Sequence, residues 1–156
     1  DIPEVTLGGI FDGALEAQAI VMNANVWMNL REYVDNHEDQ LQVETVRRIV
    51  AGRDILAADY IAARELTDSL IAALDGLFEH YDALITAAAP GEAPVGLEST
   101  GNAAFQRIWT LTGLPTMSLP LLKGPNGMPI GVQVIGKRGR DADLMRAVRW
   151  VEEKSA

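Results

Sequence analysis

A chain of 156 residues that is 48% apolar and 22% charged has the length and balance of one globular domain, which excludes disorder as its main state. It has no cysteine and a net charge of −9, which exclude a disulfide framework, a thiolate metal site and a cysteine nucleophile, and disfavour a broad basic face for nucleic acid. It contains no apolar run of about 18 residues, so no membrane-spanning helix is predicted.

The opening DIPEVTLGG has neither the basic nor the apolar region of a secretory signal, and it lacks Met. The expectation is a trimmed chain or a piece of a longer one. The first eighty residues hold most of the acids and read as helix. Phe11, Leu15, Ala19, Met22, Val26 and Leu30 recur at steps of three and four, which predicts one apolar helical face. The polar stretch Asp35 to Asp39 should break that pattern. Leu41, Val46, Ile49 and Val50 predict a short second helix stopped by Gly52. Asp54 is the expected cap of a long third helix that carries Ile55, Ala58, Leu66, Leu74 and Phe78.

The pattern changes near Tyr81. Residues 83–88 form a short apolar run ended by Pro90-Gly91 and read as a buried strand. Residues 90–101 are loop by composition. A helix is predicted from about Asn102 through Trp109 and Leu111, ended by Gly113 and Pro115. Thr116 to Leu122 and Ile130 to Gly136 are further strands, joined by the turn-rich Lys123 to Pro129 as a hairpin. Asp141 should cap a last helix with Leu144, Met145, Val148 and Val151. The expected class is α/β, one unit over 1–156. Residues 1–80 should be mainly helical and 81–156 strand-helix-hairpin-helix. Three strands, each apolar on both faces, predict a partial mixed sheet with exposed edges prone to self-association.

Chemistry is sparse. Asp35-Asn36-His37-Glu38-Asp39 has weak spacing for zinc, and His80 falls where a helix C-terminus favours a cation. No serine lies in G-x-S-x-G. Ser118 sits within a strand, and Lys123, Lys137 and Lys154 lie in turns or at the end. Gly136 to Asp141 has the place of a phosphate loop without its spacing and reads as a plain turn. The residues alone give no complete catalytic set, no metal site and no cofactor site.

Residues 81–150 nevertheless resemble the C-terminal part of the amidase signature family. YDALITAAAP is similar to that family's strand, with Ala87 where proline usually follows the threonine. Trp109-Thr110-Leu111-Thr112-Gly113-Leu114-Pro115 is similar to its helix end, Gly124 to Gly136 to its hairpin, and Asp141 to Met145 to its closing helix. Ile10-Phe11-Asp12 and Ala57 to Tyr60 extend the likeness to the helical half. Trp109-Thr110 is nearer the general amidases than the tRNA amidotransferase subunits.

The resemblance implies hydrolysis of amide C–N bonds by a serine, a second serine and a lysine, with no metal. The chain has no Ser-Ser pair and no Gly/Ser-rich signature, so the expectation is an amidase fragment without its catalytic centre, inactive alone and cytoplasmic. No catalytic residue is assigned. Thr86, Phe105 and Trp109 are expected to line a substrate pocket. The expected partner is the remainder of an amidase chain, or a second copy through the sheet edges, with neither nucleic acid nor membrane. The alternative is a free-standing interaction module with an acidic helical face.

Overall fold

The computed structural model describes residues 2–155. They divide into two compact units, one up to Leu70 and one from Ile71 onward. That boundary falls inside the third helix, ahead of the change in composition near Tyr81.

The first unit follows a single 3-10 turn, Gly9–Phe11, and is built from α1 (Ala14–His37), α2 (Val43–Val50) and the first part of α3 (Ala57–Leu77). The polar stretch Asp35 to Asp39 ends α1 as expected: the helix stops within it at His37 and passes into a 3-10 turn at Glu38–Gln40. In its last turn the Asn36 side chain donates back to the Glu32 carbonyl at 3.0 Å. The buried residues of α1 are Ala14, Ala17 and Gln18. The predicted stripe is a different face and only partly covered: Leu15, Met22 and Leu30 are exposed, while Phe11, Ala19 and Val26 are half-buried. Helical period alone marks an apolar face without saying which neighbour, if any, covers it.

The helix α2 packs across α1, and Gly52 just after it makes the approach possible. A Cβ there would collide with the Asn23 carbonyl and sit 2.9 Å from Trp27 Cβ. On its solvent side, Glu44 accepts hydrogen bonds from Arg47 and Arg48. Those bonds, Arg47 first, lower the Glu44 pKa to about 2. The pair is solvated and adds little to stability. Asp54 does not cap α3. The helix starts three residues later at Ala57, and Asp54 receives the Arg53 guanidinium instead.

The second unit contains the end of α3, then β1 (Leu84–Ala87), α4 (Ala104–Thr112), β2 (Thr116–Lys123), β3 (Pro129–Ile135) and α5 (Asp141–Ser155). The three strands lie in the order β1-β3-β2. Both pairings are antiparallel, so the sheet is not mixed as expected. The hairpin between β2 and β3 closes at the predicted turn, with the Gly124 N–H donating to Met128 O at 2.9 Å.

The strands are not apolar on both faces. Met117, Leu119 and Val134 lie on the face covered by α5, whose Leu144, Val148 and Val151 complete a core. Met145 points away from it and is exposed. Period-two alternation puts Thr86, Gln133 and Ser118 on the opposite face, paired side by side across the sheet. Asp141 is the first residue of α5 rather than the residue before it.

Candidate functional site

The polar row across the sheet and the helix α4 define the candidate site. Just ahead of α4, whose N-cap is Ala103, the Asn102 side-chain oxygen accepts the Ala104 N–H at 2.9 Å. The end of α4 is set by Gly113, left-handed at φ 69°. There Gly113 N–H donates to Thr110 O and Leu114 N–H to Trp109 O, a Schellman closure that only a residue without a Cβ makes cheaply. Phe105 and Trp109 lie one helical turn apart between these two ends.

Gln133 ties this helix to the sheet. It is 2% exposed, and its side-chain NH₂ donates to Phe105 O at 2.7 Å and to Ala87 O at 3.2 Å. Gln106 adds a second tie, donating to Ala88 O at 3.1 Å. Thr86 on β1 is the cross-strand partner of Gln133, and Ser118 on β2 is its partner on the other side. Of the predicted residues, Thr86 and Phe105 therefore meet through Gln133. Phe105 is exposed, whereas Trp109 is buried. The Trp109 indole N–H is buried without an acceptor among the described residues. A donor so placed is costly to leave unmade, and it marks this side of α4 as polar in its demand.

Sequence reasoning missed Gln133 and Glu92. The signal for Gln133 was a lone polar residue inside the apolar run Gly131 to Ile135. Glu92 lies in the loop after β1 and fastens that loop to the hairpin turn. Its carboxylate accepts the Asn126 side-chain NH₂ at 2.7 Å, the Asn126 N–H at 2.9 Å and the Met128 N–H at 3.0 Å. These bonds, the Asn126 side chain first, hold Glu92 below the usual glutamate range, against a smaller opposing effect of burial. A lowered carboxylate pKa contributes stability above the unfolded value, about 4.3, that is lost as pH falls through the folded value. Acidification through that folded value, below the usual glutamate range, is therefore expected to free the Asn126 and Met128 amides. Their NMR shifts and exchange rates, read against pH, report it, and Glu92→Gln should abolish the pH dependence.

The remaining polar residues form no second constellation. His37 ends α1, with Glu38 and Asp39 in the following 3-10 turn, and no group of three or more acidic or histidine side chains is placed to hold a metal among the described residues. Lys137 is held by Glu79 at 2.8 Å, and Arg140 by Asp143. In the first unit an open groove of about 540 Å³ is lined by Val34, Leu41, Val43, Val46 and Val50. It holds none of the predicted site residues. No helix among the described residues is long and apolar enough to cross a membrane.

A family model described as Amidase matches residues 11–145. A glutamyl-tRNA(Gln) amidotransferase subunit of Agathobacter rectalis is 30% identical, over 93% of this chain and 35% of its own length. The same amidotransferase protein of Wolinella succinogenes is 34% identical, over 70% of this chain and 27% of its own length. The chain thus spans about a third of the length of these relatives. Among solved structures, an amidase crystal structure superposes with a TM-score of 0.76 at 24% identity, over 92% of this chain and 36% of that one. A chain from a vestigial complex bearing on the origins of an s-triazine catabolic enzyme gives 0.83 at 22% identity, over 97% and 36%. These two likenesses concern the fold.

Proposed function

The chain belongs to the amidase family, and from that premise we propose that it is the C-terminal portion of an amide hydrolase whose Ser-Ser-Lys centre lies outside these residues. The observation that carries this reading is the family match over residues 11–145 in a chain that spans only a third of its relatives. The engagement of three of the chain's four serines and of Lys137 supports it. Ser69 and Ser155 donate to helix carbonyls, and Ser99 accepts the Gly101 N–H. Lys137 pairs with the Glu79 carboxylate at 2.8 Å and is 37% exposed, unlike the dry site that a proton-accepting lysine needs.

In such an enzyme the nucleophile attacks the amide carbonyl, the bridging serine relays its proton to the lysine, and backbone N–H groups stabilise the oxyanion. The part of this chain is to shape the pocket. Phe105 offers an exposed ring, Thr86 a hydroxyl at the sheet face, and Trp109 an unpaired N–H. Gln133 keeps the helix carrying Phe105 and Trp109 in place over the sheet. The named curated relatives belong to amidotransferases, whereas Trp109-Thr110 leans toward the general amidases, so the reaction class is stated as amide C–N cleavage. A cysteine-free chain suits a reducing cytoplasm, where we place it.

The test is direct. The purified chain, exposed to a fluorophosphonate serine probe and to simple aryl amides, is expected to take no label and release no amine. A labelled serine identified by mass spectrometry would sink the reading.

A further inference from the structure

The open groove of the first unit combines an apolar wall with charges of both signs. Its volume is about 540 Å³, within the range of about 300–1,000 Å³ typical of small-molecule sites. Val43, Val46 and Val50 recur at steps of three and four along α2 and line it on one side. Ile49, the buried residue of α2, lies off that stripe. Val34 of α1 and Leu41 beyond the 3-10 turn complete the apolar lining. Val43 is 85% exposed, so this wall is uncovered among the described residues.

The charged lining is Glu38 in the 3-10 turn, Arg47 on α2 and Arg53 just after it. Arg47 donates to Glu44 through Nε and Nη2, both at 2.8 Å, which holds the guanidinium in place and leaves its Nη1 donors unused. Asp54 holds Arg53 more loosely, at 3.3 and 3.5 Å. The Glu38 carboxylate has no hydrogen-bond or ion-pair partner among the described residues. With the paired neighbours Arg48, Glu44 and Asp54 included, three arginines stand against three carboxylates. A groove balanced in this way exerts no net pull on a plain anion. It suits a ligand that carries opposite charges at its two ends.

We infer that this groove binds a short aliphatic peptide as a zwitterion. The free carboxylate lies on the Arg47 and Arg53 guanidiniums, the ammonium on Glu38, and the branched side chains against the valines of α2. The site is built wholly from residues 34–53, so it stands independently of the function proposed above. A second copy is the poorer occupant, because each copy carries a net charge of −9 and repels the other.

The experiment titrates the ¹⁵N-labelled chain with leucyl-leucine at neutral pH and follows the amide shifts. Saturable shifts are expected at Val43, Val46, Arg47 and Arg53, and none along the three strands. Glycylglycine, which has both charges and no apolar side chain, should leave the spectrum unchanged. Acetylating the peptide's ammonium or amidating its carboxylate should each weaken binding by about 5-fold or more. Glu38→Gln should weaken the free peptide to the same extent and leave the acetylated one unaffected, and Arg53→Gln should do so with the amidated one. Both side chains are exposed, so neither variant is at risk of misfolding. The absence of a saturable shift overturns the site. A doubly blocked peptide that binds as tightly as the free one overturns the zwitterion and gives the groove to a segment of a longer polypeptide. Shifts that grow with the chain's own concentration, without peptide, give it to a second copy and overturn the occupant named here. Each of these outcomes leaves the amidase reading where it stands.

Discussion

Replacing Gln133 by Leu is expected to lower stability by about 2–4 kcal/mol, because it strips the donor from two carbonyls at once. Leucine has nearly the same bulk, so packing is largely kept and the loss reports hydrogen bonding. Phe105 O and Ala87 O would both lose the Gln133 NH₂ in a place where Gln133 itself is 2% exposed. An unmade bond at a buried carbonyl costs far more than a made one yields. Urea unfolding of the whole chain, followed by circular dichroism, measures the change. Gln133→Glu should be at least as harmful, since it aims an acceptor at two acceptors. A loss under about 0.5 kcal/mol for the leucine variant would show that Gln133 does not hold α4 to the sheet.

Gly52→Ala is expected to cost about 3 kcal/mol or more in the first unit, as overpacking against main chain. The added methyl would overlap the Asn23 carbonyl in the middle of α1 and press on Trp27 Cβ at 2.9 Å. Neither neighbour is the tip of a flexible side chain, so the helices themselves must part. Gly76→Ala is the matched control. That glycine lies inside α3 with nothing within 4 Å of an added Cβ. There the same substitution should stabilise by up to about 1 kcal/mol, the helix propensity of alanine over glycine. Thermal melts of the two variants should move in opposite directions.

The elements themselves were legible in the sequence because each carried its own punctuation. Gly113 ended α4, the Lys123 to Pro129 stretch closed the hairpin, and three apolar runs became three strands. What the pattern could not express was direction and cover. Strand sequence does not encode whether its neighbour runs parallel, so a mixed sheet was expected where both pairings are antiparallel. The stripe from Leu15 to Leu30 obeys helical period, yet the buried positions are Ala14, Ala17 and Gln18, the two alanines being small enough for a close approach. For the candidate site, family likeness led to the expectation that Thr86, Phe105 and Trp109 line a pocket. Gln133 and Glu92 were not legible, because each acts across 28 to 46 residues of sequence, a distance no local window spans.

The Glu92 clasp has a kinetic consequence. The hairpin turn it grips is local and closes on a microsecond scale. Glu92 lies 34 residues before Asn126 and 36 before Met128, so the ring it completes is long and its three acceptor bonds need a finished turn to meet. The clasp therefore snaps shut late in assembly. An interaction made after the rate-limiting barrier leaves the speed of folding alone and lengthens the lifetime of what has folded. Removing the Glu92 carboxylate is therefore expected to shorten the time the hairpin and the loop after β1 stay together, with the folding rate unchanged.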